Sequence, residues 1–159
     1  MKARTARFAA TLFLAAAAAH SHPAPNSTLR LDFEAHAVRA EYWLPVSELG
    51  YARAGENAPD LAAYLLARLH AESPAGEAWK IHVKAVRADR YLEHDYLVAE
   101  LQLAPPPGVA ARPFVLVDDV ITHEVRNHIV FVVENRPTGN RLIGMLQYPN
   151  RRLSVPPSE

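Results

Sequence analysis

Between Thr28 and Leu44 apolar and polar residues take turns. Leu29, Leu31 and Phe33 alternate with Thr28, Arg30 and Asp32, and Val38, Ala40, Tyr42 and Leu44 alternate with Arg39, Glu41 and Trp43. A period of two puts successive side chains on opposite faces of an extended backbone, which suits a half-buried strand and not a helix. The connection Glu34-Ala35-His36 is short enough for antiparallel neighbours, so these two strands form a hairpin. The period returns at Ile81, Val83 and Ala85 against His82 and Lys84, and at Leu97, Ala99, Leu101 and Leu103 against Val98, Glu100 and Gln102. Beyond the stiff turn Pro105-Pro106-Pro107-Gly108, the runs Pro113 to Ile121, Asn127 to Asn135 and Arg141 to Tyr148 are rich in Val, Ile, Leu and Phe and predict further strands.

The period changes once. From Pro59 to Ala71, Leu61, Leu65, Leu66 and Leu69 fall at helical spacing, Pro59 and Asp60 suit a first turn, and Ser73, Pro74 and Gly76 follow as terminators. Seven or more strands with a single helix after the first hairpin predict an all-β, mainly antiparallel fold. It is a β-sandwich-like domain whose helix covers one end or edge.

The first nineteen residues carry a different signal. Lys2, Arg4 and Arg7 precede an apolar run from Phe8 to Ala18, and Ala17-Ala18-Ala19 offers small residues for cleavage. Residues 1–19 are expected to be a signal peptide, with 20–159 a single β-rich domain that is periplasmic or secreted. The apolar run is shorter than the roughly twenty helical residues a bilayer requires, and no second such run follows. No transmembrane segment is therefore expected after cleavage. The whole chain balances 17 basic against 17 acidic residues. Removing the three basic residues of the leader leaves a slight acidic excess, which argues against nucleic acid as a partner. Cysteine is absent, so any transition-metal site must use His, Asp or Glu.

Two histidine clusters are candidates for such a site. Cleavage after Ala19 exposes His20-Ser21-His22, whose amine, amides and third-position imidazole suit square-planar Cu(II) or Ni(II). The alternative is a polar leader before Pro23 and Pro25. The second cluster runs from Val117 to His128. If the chain turns near Glu124 to Asn127, Asp119 or Asp118 approaches His123 and His128, a mixed imidazole and carboxylate set suited to Zn, Ni or Cu. The plainer reading makes Asp119 an acceptor for backbone groups of the turn and the histidines satisfied polar groups near the core. The remaining histidines read as surface residues, His36 in a turn, His70 at the helix end, His82 facing outward and His94 in the Glu93-His94-Asp95 connection. Trp43 and Trp79 read as packing residues before ligand platforms.

Catalytic motifs are missing. The sequence has no Gly-x-Ser-x-Gly turn, no His-Glu-x-x-His helix and no glycine-rich phosphate loop, and thiol catalysis is excluded. A metal-dependent hydrolase using Asp119, His123 and His128, with Glu124 as base, ranks below a binding role.

The stretch Phe114 to His128, the opening His22-Pro-Ala-Pro-Asn-Ser-Thr and the close Leu142-Ile-Gly-Met-Leu-Gln-Tyr-Pro149 resemble the exported N-terminal domain of the HupE/UreJ-like membrane proteins. The resemblance spans nearly all of 20–159. It places an Asp-Val-Ile, His and His pattern on Asp119, His123 and His128, with Asp118 standing where an aromatic residue is usual and Ile129 where Lys is common. It implies an accessory role, in relatives linked to nickel or cobalt uptake by a membrane part that this sequence lacks. The expectation is a non-enzymatic domain that docks on a separately encoded, permease-like membrane protein, or alternatively one that binds or delivers a divalent metal (Ni, Co, Cu or Zn). Docking further predicts an exposed apolar patch or an unpaired edge strand.

Overall fold

A computed structural model describes residues 25–55 and 60–157. In chain order the elements are β1 (Ser27–Phe33), β2 (Val38–Pro45), α1 (Val46–Arg53), α2 (Leu61–Leu66), β3 (Leu69–Glu72), β4 (Lys80–Tyr91), β5 (His94–Ala104), β6 (Phe114–Asp118), β7 (Val130–Glu134), β8 (Arg141–Leu146) and β9 (Arg152–Val155). They form a six-stranded sheet, β4-β5-β2-β1-β7-β8, and a three-stranded sheet, β3-β6-β9. β1 and β7 run parallel, and the other paired strands are antiparallel. The fold is thus the mainly antiparallel, all-β, sandwich-like arrangement expected from the alternation.

Register turns the sequence period into a core. Tyr42 lies opposite Leu29 and Ala99, Ala40 opposite Leu31 and Leu101, and Leu29 also opposite Val132, so one face of the large sheet collects the apolar parity of four strands. Leu29, Leu31, Tyr42, Leu44, Leu103 and Val132 are fully buried, in one cluster with Leu69, Phe114, Leu116 and Val155 of the smaller sheet. On the other parity of the large sheet Arg30, Glu41, Trp43 and Phe131 are partly open to solvent, while Val98 and Tyr96 are buried.

Local signals and tertiary context part company in three places. The expected helix over Pro59 to Ala71 is two different things. Asp60 caps α2 by accepting from the Ala63 amide at 2.8 Å, but α2 ends at Leu66, and Leu69–Glu72 is a strand paired with β6. Leu69 and Ala71 alternate with His70 and Glu72, so the segment satisfies both periods, and the ladder to Phe114–Asp118 decides between them. His70 consequently lies on β3 and not at a helix end. The second difference is α1, which has little amphipathic pattern to announce it. It buries Leu49, Ala52 and Glu48 near β2 and β5, with Glu48 in its first turn and Arg53 in its last. The third is a bulge between Val83 and Ala85. Ile81 and Val83 lie opposite Leu103 and Leu101, whereas beyond the bulge Val86 and Ala88 lie opposite Ala99 and Leu97, and Ala85 falls to the other face.

Strand ends also shift. The run expected to Tyr148 stops at Leu146, and a turn leads to β9, which pairs with β6 in the other sheet. β8 and β9 meet closely there, since a Cβ on Gly144 would lie 2.6 Å from Leu153 Cδ1.

Candidate functional site

A line of polar side chains crosses the interior from one sheet to the other. Asp118 ends β6 on the same parity as Phe114 and Leu116 and is fully buried. The Tyr42 hydroxyl of β2 donates to its Oδ2 at 2.6 Å, and the Val120 amide donates to its Oδ1 at 2.9 Å. Ser27, at the start of β1, hydrogen-bonds Tyr42, and its Oγ lies 2.8 Å from His128 Nε2. Tyr64 of α2 closes the same region by donating to the Val120 carbonyl at 2.6 Å.

Protonation follows from this geometry. Burial raises the Asp118 carboxyl to about 6 against the opposing hydrogen bonds from Tyr42 and Val120, while the Asp119 charge adds to the rise. Burial, with the neighbouring Asp118 charge, pushes the Tyr42 hydroxyl well above its ordinary value. Burial lowers His128 to about 4. At neutral pH Asp118 is therefore largely ionised while Tyr42 and His128 are neutral. A carboxylate only accepts, so Tyr42 donates to it. Ser27 then donates to the Tyr42 oxygen and accepts from His128, which places the histidine proton on Nε2. Among the described residues, His128 Nδ1 is left as a buried acceptor without a hydrogen-bond partner. Ser27, Tyr42 and Asp118 have no exposed surface, so the chain ties the sheets together and cannot touch a substrate.

The residues expected to bind metal are placed differently. Asp119 gives its Oδ2 to Arg151 Nη1 at 2.6 Å, and its Oδ1 accepts from Thr122 at 3.4 Å. His123 Nδ1 donates to the Asp119 backbone carbonyl at 2.8 Å, and its ring stands 6.2 Å from that of Tyr64. His128 is held by Ser27. A turn does form between β6 and β7, but it brings His123 to the backbone of Asp119 and not to its carboxylate. Among the described residues no three His, Asp or Glu side chains are grouped as a metal would require. The donor set Asp119, His123 and His128 therefore does not fit a three-ligand centre. His20 and His22 lie outside the described residues.

Asp118, mentioned in the sequence only as an alternative to Asp119, is the buried member of the pair. The run Phe114 to Val117 is apolar on both parities, so it gave little signal of which side faces inward. Ser27 and Tyr42 carried none, because their polar role depends on partners far along the chain.

The uncovered face of the large sheet is the second notable region. Trp43 carries the Arg30 guanidinium 4.8 Å and the Arg87 guanidinium 5.5 Å from its ring centroid, with Tyr96 edge-on at 5.9 Å. Glu41 pairs with Arg87 at 3.0 Å. Toward the β8 edge the face becomes apolar. Phe131 lies opposite Met145 and Val133 opposite Leu142, and both Met145 and Leu142 are 54% exposed. Toward the other end an open groove of about 720 Å³ is lined by polar residues including Asp32, Arg39, Gln102 and Asn135.

The sequence matches no protein-family model, and no curated protein matches it.

Proposed function

We propose that this protein is a non-enzymatic, exported accessory domain that docks on a membrane protein of the HupE/UreJ type through the outer face of its six-stranded sheet. The observation that carries the reading is the apolar strip of Phe131, Val133, Leu142 and Met145, which the second sheet leaves uncovered. Leu142 and Met145 are each about half exposed, so burying what remains of the two supplies about 2–3 kcal/mol before ordering costs, a useful anchor for an interface. Metal delivery is the weaker reading, because Asp119, His123 and His128 each have another partner.

Co-expression with a HupE-type membrane protein tests this. The wild-type domain is expected to co-purify with the detergent-solubilised partner. A Leu142→Glu/Met145→Glu variant with unchanged melting temperature is expected to be retained at least tenfold less. Full retention of the variant would remove this face from consideration.

A further inference from the structure

At the end of the sandwich formed by the β1–β2 turn, the Pro-rich 105–113 segment and the β7–β8 loop, one carboxylate gathers three guanidiniums. Arg112 Nη2 reaches Glu134 Oε1 at 2.9 Å, and Arg136 Nη2 and Arg141 Nε reach Oε2 at 2.8 and 3.1 Å. Burial alone would raise the Glu134 carboxyl, but these cations hold it below its ordinary value. The Arg112 side chain is nine-tenths buried, its guanidinium carbon lies 3.4 Å from the Phe33 ring centroid, and its buried Nε has no hydrogen-bond partner among the described residues.

Arg112 also lines a cleft of about 240 Å³ with Phe33, Glu34, Ala35, Ala110 and Ala111. We infer that this cleft is a binding site for a carboxylate with a short apolar tail, its anionic group held by Arg112 and its tail by the alanine walls. A guanidinium pairs best with a planar anion presented edge to edge, and the Phe33 ring beneath it favours a flat partner. The volume is on the order of eight water molecules, enough for a four-carbon acid. A dianion is disfavoured because Glu34 lines the cleft and Glu134 already pairs with Arg112. Glu34 itself is held by Arg39 at 2.6 Å. The shared chemistry is a monocarboxylate, carried by a free small acid or by a peptide carboxyl terminus. The site is independent of the proposed docking face.

The test is an NMR titration following the Ala110 and Ala111 amides, using butyrate, butyramide, inorganic phosphate and an acetylated dipeptide with a free carboxyl terminus. Butyrate should give saturable shifts in the millimolar range, and butyramide and phosphate should be at least tenfold weaker. Arg112→Gln should abolish the shifts, with Arg136 and Arg141 still satisfying Glu134. Ala110→Leu, at an exposed position, should fill the cleft and abolish them without lowering the melting temperature. A dipeptide binding tenfold tighter than butyrate identifies a peptide terminus as the source, and equal or weaker binding identifies a free acid. Equal shifts from butyramide or phosphate, or unaltered binding by Ala110→Leu, would overturn the assignment.

Discussion

Asp118 and His128 sit at opposite ends of one hydrogen-bonded line and respond to pH in opposite senses. Asp118 titrates near 6 in the folded protein and near the usual carboxylate value, about 4, when unfolded. The folded state holds this proton more tightly, so its stabilising contribution is full below about pH 4 and is lost as the pH rises through 6. His128 is lowered to about 4 from an ordinary value of 6.5. Its contribution is full above about pH 6.5 and is lost as the pH falls through 4. Each is worth on the order of 3 kcal/mol, and over this window the two slopes oppose one another. We expect urea midpoints of the wild type to owe little net pH dependence to this pair. Asp118→Asn should leave stability rising from pH 4 to 6.5, and His128→Gln should leave it falling from pH 4 to 6. Identical profiles for all three proteins would refute the coupling. Tyr42→Phe removes the donor to a buried carboxylate and should cost about 2–3 kcal/mol at pH 7 in denaturant unfolding. A cost under about half a kcal/mol would mean that Asp118 finds another donor. The burial of Asp118 was not legible, because Phe114 to Val117 are apolar on both parities and only the two-sheet packing selects the inward side. The engagement of Asp119 by Arg151 was not legible either, because an ion pair leaves no local pattern in sequence.

Among the elements, the β4–β5 hairpin departs most clearly from local preference. Tyr91 pairs with His94 across a two-residue loop in which Leu92 has φ 45° and Glu93 φ 65°. A loop with positive φ at both residues favours Asn-Gly, because a Cβ crowds the carbonyl in the left-handed region. Leu92 gains little in exchange, being 72% exposed. Leu92→Asn/Glu93→Gly should therefore raise stability by about 1–2 kcal/mol, measured as a higher denaturation midpoint at constant m-value. An unchanged or lower midpoint would show that the tip is not strained. The sequence placed the connection at Glu93-His94-Asp95, one residue late, because its polarity outweighed the weak turn signal of Leu92. The same competition explains α2 and β3, where a leucine spacing compatible with a helix was overruled by pairing with β6.

On the scale of the whole molecule, two unequal sheets leave the larger one with an uncovered face, and that inequality creates both the apolar strip and the polar groove. Alternation along the chain was enough to establish an all-β domain, the first hairpin and the inward side of β1, β2 and β5, because side-chain parity is a property of each strand alone. It did not reveal that β1 pairs parallel with β7, nor that the segment after Leu66 becomes a strand. Those outcomes depend on partners remote in sequence. Ser27 meets His128 across 101 positions and Tyr42 meets Asp118 across 76, so the buried line exists only once both sheets have closed. Local period determines which face of a strand is apolar, whereas only the packed fold determines which polar groups lose water together and must satisfy one another.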